Sequence, residues 1–176
     1  MLVKRITRLV ERFGPSREAL SRSRIMRPAA KYIANPNVWH FNRHSVARGV
    51  ALGLFLGFAI PMGLQLLLSA LLAVSARANL AVTALFTSVS NPLTIIPICY
   101  AAIKTGDWLL GVETPLSPHS AALLEIVKDA PVPMVVGCIF FAVISAALGF
   151  MTIQFAWRWW IARRWQRRLA RSAQQA

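Results

Sequence analysis

Two short runs carry the residue types from which a binding site is built in an apolar chain. Ile60-Pro61-Met62-Gly63-Leu64-Gln65 and Asn91-Pro92-Leu93-Thr94 each set a helix breaker beside an amide or a hydroxyl, and Pro97 follows the second. Proline removes a helical N–H and crowds the preceding turn, and glycine loosens the backbone, so each run is expected to interrupt a helix. A break frees backbone N–H and C=O groups, and Gln65, Asn91 and Thr94 add side-chain donors and acceptors. The chemistry this permits is recognition by hydrogen bonding. The runs are weakly alike: Leu54-Phe55 precedes Pro61 as Leu85-Phe86 precedes Pro92, at an offset of 31 residues. With Asn79, which lies between them, the candidate binding residues are Pro61, Gly63, Gln65, Asn79, Asn91, Pro92 and Thr94. A purely structural reading stands beside this one. Proline kinks are common in apolar helices, and neighbouring amides then only satisfy the freed backbone groups.

Other chemistry is poorly supported. His40 and His44 are four apart, close enough to share a helix face, but no third ligand is near and Asn42, Arg43 and Arg48 crowd the place with positive charge, so no metal is expected. Cys99 and Cys138 lie in apolar stretches without metal-ligand spacing and read as small buried residues. Asp107, Glu113, Glu125 and Asp129 form no recognisable pair, His119 stands alone, and no phosphate-binding glycine loop or nucleophile elbow occurs. The chain is therefore read as a non-enzyme without a cofactor.

The elements that would position the candidate residues are long apolar stretches. Residues 49–76 are apolar apart from Gln65 and two serines, with the first break in the middle. Each half has about 14 residues, which reaches only ~21 Å against a ~30 Å hydrocarbon core. The stretch is thus either a kinked span or a re-entrant hairpin. Residues 80–103 form a second apolar stretch, broken at Asn91-Pro92. Residues 134–157 have neither charge nor proline and read as a regular transmembrane helix. Gly49, Gly53 and Gly57 recur every four residues and make one smooth helix face, suited to close packing within the chain or to a dimer. Short amphipathic helices are expected over residues 4–13, between Ser16 and Pro28, and over residues 120–130.

Composition points the same way. Hydrophobic residues make up 56% of the 176 and charged residues 15%, yet the net charge is +14. Nucleic-acid binders do not carry uncharged stretches of spanning length, so the basic partner surface is anionic lipid and no nucleic acid is expected. Residues 1–48 hold eleven Lys or Arg, too long and too charged for a cleaved leader, and this segment is expected to be retained. Residues 158–176 hold six Arg and no acid, opening with Arg158-Trp159-Trp160 and continuing through Arg163, Arg164, Trp165, Arg167 and Arg168, an aromatic and basic interface with lipid headgroups. Positive charge places both ends on the cytoplasmic side of a membrane and the poorly basic loop 104–133 outside. Residues 134–157 cross once, so 46–103 must cross an odd number of times. A hairpin over 46–76 with its tip near Pro61 and Gly63, a return at Arg77, and a broken crossing over 80–103 meets this count. A kinked span followed by a dipping segment meets it too. The expected fold is all-α, with a basic arm (1–45), a membrane domain (46–157) and a basic tail (158–176).

The ordered run Asn37-Val-Trp-His40-Phe-Asn-Arg43-His-Ser45-Val-Ala-Arg-Gly49, then Gly53-Leu-Phe55-Leu-Gly57, Pro61-Met-Gly63-Leu-Gln65, Arg77-Ala-Asn79 and Asn91-Pro-Leu-Thr94 with Pro97 and Tyr100, resembles the bacterial membrane family called domain of unknown function 2062. The resemblance covers roughly residues 14–165. It implies a small multi-helix inner-membrane protein and supplies no mechanism.

Two functional readings follow. One is transport or the handling of lipid or envelope material through the interrupted helices. The other is a non-catalytic scaffold, docking a membrane-protein partner or a second copy through the basic arms and the glycine face.

Overall fold

The computed structural model describes residues 33, 35–60, 63–114 and 130–173. All regular structure among them is helical: a 3-10 turn at Pro36–Trp39, then α1 (Arg43–Ala59), α2 (Leu64–Ser75), α3 (Leu80–Thr87), α4 (Ile95–Leu110) and α5 (Pro131–Ala173). The amphipathic helices expected over 4–13, between Ser16 and Pro28, and over 120–130 lie outside the described residues except for Ala130, as do Pro61 and Met62.

Each helix end has a local cause. Asn42 caps α1 by accepting the Ser45 N–H at 2.7 Å. The helix stops at Ile60, whose extended backbone (φ −118°, ψ 135°) is the conformation that a following proline favours. Gly63, at φ +100°, turns the chain into α2. At the far end of α2, the Ala78 N–H reaches Ala73 O at 2.8 Å and the Arg77 N–H reaches Val74 O at 3.1 Å. This is the paired bonding of a Schellman ending, here with Arg77 at φ 49° in the place that glycine usually takes. Asn79 caps α3 by accepting the Val82 N–H at 3.0 Å.

The chain then breaks over residues 88–94 and resumes as α4. Pro97 falls in the first turn of α4, where its missing N–H would have had no partner anyway. Residues 104–110, whose polar side chains read as the start of a loop, instead continue α4 to Leu110. Lys104 is exposed, Gly106 packs on the backbone of Pro133, and the buried Asp107 carboxylate accepts the Thr114 hydroxyl at 2.7 Å. Gly111, at φ +66°, ends the helix. α5 begins at Pro131, three residues before the expected start, and continues without interruption past Trp157. Its 43 residues extend ~64 Å.

Packing fixes the directions. α5 runs antiparallel to α1, with the Phe58 and Phe141 rings 6.1 Å apart and Gly149 lying against Val50 and Leu54. It also runs antiparallel to α4, because Gly137 abuts Ala102 and Gly106 abuts Pro133. α3 lies parallel to α1 along the glycine face. A Cβ at Gly49 would stand 2.9 Å from Asn79 O, one at Gly53 2.5 Å from Thr83 O, and one at Gly57 2.8 Å from Val89 Cγ1. That face is therefore filled from within the chain rather than left free for docking. α2 folds back, so that its end meets the start of α1: the Asn79 N–H donates to Ser45 O at 3.0 Å and Arg48 reaches Ala76 O at 3.5 Å. Ala70, Ala73, Ala78 and Leu80 form the core there with Ile33 and Val38.

Candidate functional site

The candidate residues divide according to how their polar atoms are used. Asn79 is fully buried and satisfied on every side. Its carbonyl oxygen Oδ1 caps α3, its Nδ2 donates to His40 O at 3.1 Å, and its N–H holds the start of α1. Asn91 and Thr94 close on each other. Asn91 Oδ1 accepts the N–H groups of Leu93 and Thr94 at 2.9 and 3.1 Å. The Thr94 hydroxyl accepts the Asn91 N–H at 3.0 Å and donates to Val89 O at 2.6 Å. This reciprocal pattern satisfies the donors that the second break releases. Pro92 is exposed beside it, and Gly63 is exposed at the first break with open space around its Cα.

Gln65 differs from these. Its side chain is buried, and Oε1 has no hydrogen-bond partner among the described residues. It stands at the head of a line of buried hydroxyls that the sequence reading passed over. Ser69 Oγ donates to Gln65 O at 2.7 Å and lies 3.2 Å from Thr87 Oγ1. Thr87 bonds back to Thr83 O at 2.6 Å, and Thr83 to Asn79 O at 2.9 Å. Ser90 Oγ donates to Gly57 O, which ties the second break to the last turn before the first. The structure thus brings α2 and α3 together along a polar seam from Asn79 to Gln65, while Asn91 and Thr94 attend to their own turn. The signal for the seam was present in the spacing, since Asn79, Thr83 and Thr87 recur every four residues, as do Gln65 and Ser69. Hydroxyls that bond back to the carbonyl one turn earlier are compatible with an apolar surrounding, because no donor is left open.

The described arginines and the described carboxylates lie at different ends of the bundle. Arg43, Arg48, Arg77 and Arg158 gather where α1 begins and α2 ends, whereas the described carboxylates, Asp107 and Glu113, lie by the start of α5. At that second end Lys104, Asp107, Trp108, Glu113 and Thr114 border an open hollow of about 760 Å³, so one cation accompanies the two carboxylates. Along the basic part of α5 the Arg163 guanidinium lies 3.7 Å from the centre of the Trp159 ring and that of Arg164 5.5 Å from Trp160, four residues apart in each case. Arg158, Trp159 and Trp165 are exposed.

A family model described as "Uncharacterized protein conserved in bacteria (DUF2062)" matches residues 26–166. No match is found among curated proteins or among solved structures.

Proposed function

From the premise that this chain belongs to the DUF2062 family of uncharacterized proteins conserved in bacteria, we propose that it is a non-enzymatic, multi-pass protein of the bacterial inner membrane that handles an envelope lipid or related amphiphile at its interrupted helices. Location rests first on α5. Within Pro131–Gln166 an 18-residue window reaches a mean hydropathy of 2.4, and only 11% of that window is buried. A core helix of a water-soluble domain would cover such a surface; this one leaves it open, as contact with hydrocarbon requires. The arginines at one end and the carboxylates at the other fit a cytoplasmic basic end. In that frame α1 and α2, about 25 and 18 Å long, form a hairpin that enters and leaves on the cytoplasmic side. α3 and α4 together make the outward crossing.

The observation that carries the functional reading is the unpartnered Gln65 Oε1. Leaving a buried acceptor without a donor costs about 1–3 kcal/mol, and far less if a ligand supplies the donor. Gln65→Met keeps the volume and removes the carbonyl. The expected outcome is an unchanged or raised melting temperature in detergent, together with loss of complementation of a deletion strain. Full complementation at normal protein level would remove Gln65 from the site.

A scaffold is the second reading, favoured by one specific observation: Asn91 and Thr94 serve each other. It leaves the basic arms as the docking surface, because the glycine face is occupied.

A further inference from the structure

Where α1 begins, Arg43 and His44 of α1 and Gln154 and Arg158 of α5 line an open cavity of about 300 Å³, together with Phe150, Met151 and Phe155. The Asn42 cap fixes the first turn of α1, and Arg43 donates to His44 Nε2 at 3.1 Å. The other ring nitrogen lies 3.4 Å from the Gln154 amide, so the imidazole links the two helices beside the cavity. Two guanidiniums and the positive end of a 17-residue helix therefore meet in one place. No described carboxylate balances them. Asp107 and Glu113 lie near Pro133, and from there to Gln154 is about 32 Å along the helix.

The apolar wall does not end at the cavity. Ile144, Leu148, Met151 and Phe155 follow one another at spacings of four, three and four, so they form a single stripe on α5, and all four are exposed. The stripe runs from the cavity toward the middle of the apolar part of α5.

We propose that this is a binding site for an anionic phospholipid, with the phosphate between Arg43 and Arg158 and the acyl chains along the stripe from Phe155 to Ile144. Paired guanidiniums suit a phosphate diester, because each presents a planar fork of donors. Free phosphate has no use for the apolar track. A second copy of this chain, itself strongly basic, would set positive charge against the arginine pair. A lipid with an anionic headgroup matches both halves. The inference rests on the reading that α5 lies in a membrane and is independent of the seam at Gln65.

The test uses the full chain in mild detergent, with retained lipid counted by native mass spectrometry after mixing with phosphatidylglycerol, phosphatidylcholine or inorganic phosphate. Phosphatidylglycerol is expected to be retained, phosphatidylcholine not, and inorganic phosphate should not displace the lipid. R43Q/R158Q should weaken retention roughly thirtyfold, each guanidinium contributing about fivefold. R43K/R158K should restore most of that loss. R48Q/R77Q, the same charge change at the same end but outside the cavity, should leave retention unaltered. An equal loss in R48Q/R77Q, equal retention of both lipids, displacement by inorganic phosphate, or a lipid-free dimer would each overturn the proposal. If R43Q/R158Q does not fold, R158Q alone, at an exposed position on α5, carries the same comparison at roughly fivefold. An alkaline carbonate wash separates this from the membrane reading. Release of the protein defeats that reading, whereas a retained protein that binds no phosphatidylglycerol defeats only the site.

Discussion

Gly137→Ala is expected to destabilise the chain by about 3 kcal/mol or more, at or beyond the upper end of what overpacking usually costs. The added Cβ would meet the carbonyl oxygen of Ala102, and would stand 2.5 Å from its carbonyl carbon and 2.8 Å from its Cα. These are backbone atoms of a neighbouring helix, so no rotamer change relieves the clash. α4 must move away from α5 along its length, and the partner contact at Gly106 on Pro133 is lost with it. Gly149→Ala is the internal comparison. Its Cβ would meet Leu54 Cδ1 at 2.7 Å and Val50 Cγ1 at 2.9 Å, the far ends of side chains that can shift. A melting curve in detergent should therefore show a large drop for Gly137→Ala and a small one for Gly149→Ala. Equal, small drops would mean that α4 and α5 are not in backbone contact.

The tail supplies the second large effect. Replacing Arg163, Arg164, Arg167 and Arg168 with glutamine should weaken binding of a peptide of residues 158–176 to anionic vesicles by about 1 kcal/mol per charge at low salt. Four charges together amount to roughly a thousandfold in partitioning. The tryptophans remain, so some binding to neutral vesicles should survive in both peptides. The helix carries Arg163 over Trp159 and Arg164 over Trp160, which holds charge and aromatic surface together at one level of α5. Equal binding of the unmodified peptide to neutral and anionic vesicles would contradict this account of the tail.

Much of the framework was legible because it is written in residues with strong local effects. Pro61 with Gly63, and Asn91 with Pro92, mark interruptions, and the helices stop at Ala59 and Thr87 and resume at Leu64 and Ile95. A charge is costly in hydrocarbon, so Arg77 marks a return in the sequence, and the chain does turn there, through a left-handed residue. The extension of α4 to Leu110 was not legible. Lys104 and Asp107 look like loop residues until Thr114 is seen to bond the carboxylate. The family resemblance, drawn over residues 14–165, was borne out over residues 26–166. The site was read less well. Asn91 and Thr94 were candidates because they are polar, and nothing in one sequence says whether an amide will turn to its own backbone. The hydroxyl seam had a four-residue spacing that could have been found. The Arg43–Arg158 cavity had none, since it joins residues more than a hundred positions apart, through the packing of α1 on α5.

The central claim is that α1 and α2 enter and leave the membrane on the cytoplasmic side while α3 with α4 crosses it. Cysteine accessibility tests this most directly, in a background with Cys99 and Cys138 replaced by alanine and single cysteines at Arg77, Glu113 and Gln166. An impermeant thiol reagent applied to intact spheroplasts should label position 113 and leave positions 77 and 166 unreacted until the membrane is opened. Labelling of position 77 from outside, with position 166 still protected, would make residues 43–75 a crossing and would contradict the account.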